Sequence, residues 1–230
     1  MAPRPGSLVL LISFALSTFL LNDDLQAADL NSAVDTARQQ GRSVVSVSPI
    51  FGQLVSMSLP EGFHTVPVFE QTVRLRYIRE SVLEGENENR WTQMLTVTGA
   101  KGLASNPNVS PRKFAESMAG GYKKACPDSF SAGGVSEEQI SGYDAFSVIV
   151  SCGTSPSTSR RTSESALIVV IKGAKDYYTV QWAERGAPSR TPIAIDTAKW
   201  GERLRRLAPI KLCPIVPGES APYPSCVDRK

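Results

Sequence analysis

The stretch Ser165–Gly186, SESALIVVIKGAKDYYTVQWAERG, decides the fold. Ala166–Ile171 is an unbroken apolar run rich in β-branched residues, too short for a typical helix and followed by a turn signal. Lys172-Gly173-Ala174-Lys175-Asp176 supplies that turn, and Tyr177–Glu184 reads as the returning strand. In an extended chain Leu167, Val169 and Ile171 share one face, and Ala166, Ile168 and Val170 the other. Tyr178, Val180 and Trp182 likewise separate from Thr179 and Gln181. A strand apolar on both sides belongs in the middle of a sheet covered on both faces. The hairpin is therefore expected at the centre of the sheet.

Other strands are expected before and beside it. Val44–Ile50 and Gln53–Leu59 alternate across a Phe51-Gly52 turn. Thr65–Gln71 and Thr72–Ser81 continue the pattern, with Val73, Leu75, Tyr77 and Arg79 on one face. Trp91–Thr98 is aromatic and β-branched, and Val135–Ile140 and Tyr143–Ser151 form a second hairpin about Ser141-Gly142. Gly153–Ser163 is poor in apolar residues and is read as an exposed loop. Two helices carry clear signals. Ser110 caps the first, with Pro111 at its first position and Phe114, Met118 and Tyr122 four apart; Cys126-Pro127 ends it. Asp196 caps the second, whose Trp200, Leu204 and Leu207 form a stripe stopped by Pro209. Strand runs punctuated by single helices give an α+β class: a mostly antiparallel sheet flanked by helices on both faces.

The ends of the chain place it in a compartment. Arg4 precedes the apolar run Leu8–Leu21, and Leu25-Gln26-Ala27 offers a small residue before Ala28. This is a secretory signal pattern with cleavage expected after Ala27. The domain reading is a signal peptide over 1–27, a leader over 28–43 with a short helix, one domain over 44–209, and a Pro-rich tail over 210–230. Removing 1–27 takes away one basic and two acidic residues, so the net charge rises from +3 to +4. Such a mild excess does not point to nucleic acid, for which clustered Lys/Arg and a higher domain pI are expected. Cys126, Cys152, Cys213 and Cys226 all follow the signal segment. Four cysteines allow three connectivities; Cys126–Cys152 with Cys213–Cys226 is favoured, the second pair closing the tail. Localisation is expected to be periplasmic or secreted.

VVSVSPIFGQLVSMSLPEGF (44–63), YIRE (77–80), WTQMLTVTGAKGLASNPNVSP (91–111), WAERG (182–186) and DTAKWGERLRRLAPIKLCP (196–214) resemble a group of uncharacterised exported bacterial proteins. The order of elements over Val44–Pro209 resembles the Mog1/PsbP-like fold: a β-hairpin, a Trp-bearing strand, a helix, a β-meander and a C-terminal helix. Members of that fold serve as accessory or binding proteins in unrelated systems, so the resemblance implies a fold and does not fix a function. It carries over no functional residues.

The chemistry-bearing residues point the same way. His64 is the single histidine and sits in a turn after Pro60-Glu61-Gly62, where a loop role outweighs catalysis. Zinc needs several convergent ligands, and the cysteines are committed to disulfides. Walker A, EF-hand and dinucleotide fingerprints are absent from the sequence. Glu84, Glu86, Glu88, Glu137 and Glu138 lie in polar runs and read as solvated. Trp91, Trp182 and Trp200 fall in apolar periodic segments and are expected in the core. Asn108-Val109-Ser110 matches a glycosylation acceptor, but Ser110 is accounted for as a cap. Arg203, Arg205 and Arg206 are the densest basic cluster, and there complement the helix dipole. A partner or lipid-headgroup contact is their minority reading. The expectation is a non-enzymatic binding protein without catalytic residues, cofactor or metal, its partner an envelope protein or small ligand. A hydrolase with an unrecognised site and a binder of anionic lipid surfaces are the rivals.

Overall fold

The computed structural model describes residues 43–155 and 162–227, with positions 32, 34, 36, 39 and 40. The expected signal segment 1–27 lies outside the described residues, as does 156–161 of the expected loop. In the leader, Ser32, Val34, Thr36 and Gln39 are helical.

The described strands build two antiparallel sheets. The smaller has the order β1 (Val45–Ile50), β2 (Gln53–Ser58), β10 (Lys211–Pro214). The larger runs β3 (Phe69–Val73), β4 (Arg76–Val82), β5 (Gln93–Ala100), β9 (Tyr177–Gly186), β8 (Thr162–Lys172), β7 (Tyr143–Ser155), β6 (Phe130–Ile140). The β8–β9 hairpin is thus its middle, in a register from Lys172↔Tyr177 to Ser163↔Gly186. Its turn is tight because Gly173 lies against the Gln53 side chain and the Tyr178 ring, where a Cβ has no room.

The pleat sorts the hairpin into two apolar clusters. Leu167, Val169, Ile171, Tyr178, Val180 and Trp182 pack with Phe63, with Ile50, Val55 and Met57 of the small sheet, and with Trp200 and Leu207 of helix α2 (Thr197–Leu207). Ala166, Ile168, Val170, Tyr177 and Ala183 pack with Phe114, Ala115, Met118 and Tyr122 of helix α1 (Pro111–Ala125). Each fully buried Leu, Ile or Val contributes about 1.5–3 kcal/mol, so this hairpin holds much of the driving force for folding. The class is α+β: mostly antiparallel sheet with a few helices. All three tryptophans are buried.

Both helices begin as their sequences predict, with Ser110 Oγ accepting from the Lys113 N–H at 3.2 Å and Asp196 Oδ1 from the Lys199 N–H at 2.9 Å. Disulfides join Cys126 to Cys152 and Cys213 to Cys226, the favoured connectivity. The first ties the end of α1 to β7. The second closes the tail between β10 and the short helix α3 (Pro224–Val227), and such a loop is stabilised by roughly 3 kcal/mol in the entropy model.

Three segments differ from expectation. The pattern over 65–81 is broken by a two-residue turn at Arg74-Leu75, where Arg74 takes a positive φ of 53°. Val73 and Leu75 therefore do not share a buried face with Tyr77: Leu75 is 60% exposed at the turn, and only Tyr77 reaches the core. Trp91 packs into the core just ahead of its strand, which starts at Gln93. Strands β7 and β8 run into the expected loop as far as Ser155 and from Thr162, because their ladder continues to the pair Ser155↔Thr162 past an irregularity after Cys152.

Candidate functional site

The cavity with the most chemistry around it lies between the start of α1 and the β6–β7 hairpin. Ser141 and Gly142 both take positive φ, 54° and 80°, which makes the tight turn and fixes the register. Glu137 then opposes Phe146, Glu138 opposes Ala145, and Gln139 opposes Asp144. Phe146 belongs to the cluster beneath α1, so the pleat places Glu137, Gln139 and Asp144 on that face too. The cavity measures about 450 Å³ and is lined by Arg112 and the start of α1, by Glu137, Glu138 and Gln139 of β6, and by Asp144, Ala145 and Phe146 of β7.

Arg112 organises it. Its Nη2 donates to Glu137 Oε1 at 2.8 Å and its Nε to the same oxygen at 3.2 Å. The guanidinium carbon stands 4.7 Å from the centre of the Phe146 ring, within cation–π range. Gln139 Nε2 donates to Asp144 Oδ1. In the cluster beneath α1, the Tyr177 hydroxyl donates to the Val109 carbonyl at 2.7 Å. Burial, helped by the charge of Asp144, pushes that phenol up to about 12. Against one arginine stand the carboxylates of Glu137 and Asp144, so the lining is acidic on a chain whose net charge is positive.

Glu138 has a different fate from its neighbour. Its partner Ala145 lies in the cluster beneath α2, so the side chain leaves the face that Arg112 occupies. Its Oε1 is buried without a hydrogen-bond partner, and desolvation raises its pKa above the usual carboxylate value. The solvated reading thus fails for Glu138, while Glu137 is exposed and ion-paired. A carboxyl whose folded pKa is raised is neutral at low cost below the unfolded value, and its penalty grows as pH rises through the folded one. Glu138→Gln is therefore expected to raise stability at neutral pH, because the amide keeps the shape and has no charge to desolvate. Thermal melts at neutral and acid pH check this: the gain should vanish in acid, and an equal gain at both would show that charge is not its cause.

Two further polar groups are closed networks. On the α1 face, Arg185 stacks on Trp91 at 3.6 Å and its Nε donates to Glu164 Oε2 at 3.2 Å. The Tyr122 hydroxyl donates to the other oxygen of Glu164 at 3.3 Å. Burial and the charge of Glu164 raise both Tyr122 and Glu80. On α2, the three arginines do not converge. Arg203 Nε donates to Glu184 Oε1 at 2.7 Å, and Arg203 and Arg206 lie 4.8 and 5.1 Å from the Trp182 ring centre. Arg205 pairs in solvent with Glu202, three residues earlier. Glu86, from the acidic run, accepts from the backbone and hydroxyl of Thr92.

The cavity was hidden in the sequence because its parts come from α1 and from two strands more than twenty residues downstream. A signal was available: the Ser141-Gly142 turn fixes which residues face each other, and counting back from it sets Glu137 beside Phe146.

The fold so described defines an α+β protein built on an antiparallel sheet. No family model and no curated protein matches the chain. Among solved structures it is similar to a protein of Bacteroides thetaiotaomicron, at 14% identity and TM-score 0.38, over 78% of this chain and 51% of that one. It thus spans about half the length of that protein. It is also similar to the Ran-binding protein Mog1p of Saccharomyces cerevisiae, at 9% identity and TM-score 0.38, over 73% of this chain and 86% of that one. A point mutant of Mog1 matches at 9% identity and TM-score 0.38, over 72% and 86% of the two chains.

Proposed function

We propose that the chain is an exported, non-enzymatic binding module of the bacterial envelope, and that it takes a cationic group at the cavity beside Arg112. That group is an organic amine or the basic side chain of another envelope component. Export is supported by the apolar run Leu8–Leu21 behind Arg4 and by two disulfides. No helix among the described residues is long and apolar enough to cross a membrane. The packing of α1 into one apolar cluster and α2 into the other supports reading the fold as a Mog1/PsbP-like α/β/α sandwich.

The observation that carries the ligand class is Arg112 itself. A guanidinium already occupies the aromatic face of Phe146 and the carboxylate of Glu137, so the site is built for a cation and holds an internal one. The pair is half exposed, so an incoming cation competes for a contact worth only about 0.5–1 kcal/mol at such a surface. The hydroxyl among the lining residues, that of Ser110, serves as the cap of α1, which supports binding over nucleophilic chemistry. The lipid reading gains less, since Arg203 and Arg206 rest on Trp182.

Arginine methyl ester is the probe. By calorimetry, Arg112→Ala is expected to bind it roughly two- to fivefold more tightly than the wild type, because the internal competitor is gone; that range corresponds to the ~0.5–1 kcal/mol of the contact. Adding Glu137→Gln and Asp144→Asn should abolish the gain. Equal binding by wild type and Arg112→Ala would remove the cation-site reading.

A further inference from the structure

We infer that this protein forms a weak symmetric dimer by pairing strand β3 with β3 of a second copy. The larger sheet ends in two edges, and they are treated differently. At one end, β6 is bent by an irregularity between Gly133 and Ser136 and carries Glu137 and Glu138. Bulges and charge are the ordinary means of keeping an edge from recruiting another strand. At the other end, β3 has neither bulge, Pro nor Lys across Phe69-Glu70-Gln71-Thr72-Val73, and all five residues are exposed. Phe69 and Val73 are 40% and 50% exposed, with Val66 and Leu75 beside them at 43% and 60%. These are four of the seven large apolar residues exposed among the described residues.

The hairpin geometry sets which groups face outward. A two-residue turn at Arg74-Leu75 closes on Val73↔Arg76, a directly hydrogen-bonded pair in such hairpins. Val73, Gln71 and Phe69 then turn their backbone toward β4, while Glu70 and Thr72 direct theirs to the free edge. An antiparallel partner centred on Gln71 satisfies them in full: Glu70 meets Thr72 of the second copy and Thr72 meets its Glu70.

The same register matches the side chains. Phe69 stands beside Val73 of the other copy, twice, on the face shared with Ile78 and Glu80. On the opposite face, Glu70 stands across from Thr72 of the other copy, again twice, so no like charges are directly opposed. Glu70 is itself met from β4 by the Tyr77 hydroxyl at 2.6 Å and by Arg79 at 3.4 Å, so its charge is balanced within the chain. A foreign strand meets the backbone groups equally well but has no reason to set an apolar partner against both Phe69 and Val73; a second copy does so by symmetry.

The contact is small, so a dissociation constant on the order of 100 µM fits it. Sedimentation equilibrium on the disulfide-bonded chain should show a monomer–dimer equilibrium. Thr72→Pro removes an outward N–H at a position an edge strand tolerates, and should leave only monomer. Should that proline unfold the chain, Phe69→Lys/Val73→Lys serves the same purpose by charge repulsion, with near-UV circular dichroism confirming the fold. In this register Gln71 meets Gln71 at a non-hydrogen-bonded position, with Cα atoms about 4.5 Å apart, within disulfide reach. Gln71→Cys should therefore cross-link as a dimer on oxidation at least about tenfold faster than the more exposed Leu75→Cys. A chain monomeric at every concentration, a dimer that survives both edge variants, or equal cross-linking at 71 and 75 would each overturn the inference.

Discussion

Trp182→Ala is expected to destabilise the protein by about 3–5 kcal/mol, the range for deleting a large buried aromatic side chain. Trp182 is fully buried, on the strand at the middle of the seven-stranded sheet. Its ring meets Phe63 edge-on at 5.3 Å, and its Nε1 donates to Gln93 Oε1 at 3.1 Å. The guanidinium groups of Arg203 and Arg206 lie over it from α2. Truncation leaves a cavity, an amide acceptor without its donor and two arginines without the ring they cover. A loss of that size is a large part of the 5–15 kcal/mol by which domains are ordinarily stable. Urea melts of wild type, Trp182→Ala and Trp182→Phe would measure it, the phenylalanine keeping most of the volume and losing the N–H. A loss below about 1 kcal/mol for alanine would mean that the hairpin is not the centre of the core. The same geometry explains why the basic cluster of α2 reads poorly as a docking surface: two of its three arginines are part of how the helix sits on the sheet.

What the sequence made legible was whatever depends on local pattern. Ala166–Ile171 announced a two-faced central strand because six successive apolar residues leave no solvent side. Ser110, Pro111 and Asp196 marked helix starts because capping is decided by neighbours in the chain. The disulfides followed from the proximity of Cys213 and Cys226 along the Pro-rich tail, which leaves Cys126 to pair with Cys152. The turn at Arg74-Leu75 was not legible, because neither residue is a usual turn former and the alternation of Val73, Leu75 and Tyr77 ran through it unbroken. Glu137 and Glu138 looked alike in a polar run; only the pairing with Phe146 and Ala145 sends one to Arg112 and leaves the other partly buried with one carboxylate oxygen unpaired. Candidate sites here are products of strand register, and register is what a single sequence shows least.

Above about pH 10 the native state is expected to unfold in one cooperative step that releases protons from four tyrosines together. Burial comes first among the causes for each. Tyr77 is pushed up to about 12, with further help from its hydrogen bond to Glu70. Tyr177 is also pushed up to about 12. Tyr122 beside Glu164 and Tyr178 beside Asp176 are raised as well. Each phenol donates to an acceptor within the chain: a carboxylate for Tyr77, Tyr122 and Tyr178, and the Val109 carbonyl for Tyr177. In the unfolded chain a tyrosine ionises near pH 10. Between that value and the folded ones the native state holds protons that the unfolded state has lost, so stability falls as pH rises; below the unfolded value the contribution is fully present. Several groups titrating in the same window make the fall steep. Near-UV phenolate absorbance and near-UV circular dichroism, followed together through an alkaline titration, should change in the same late transition for these four side chains. Tyr177→Phe should lower the protons released in that step from four to three. If the absorbance of all four instead developed ahead of any loss of native dichroism, these phenols would be open to solvent, and the two-sided packing of the central hairpin, to which Tyr177 and Tyr178 belong on opposite faces, would be wrong.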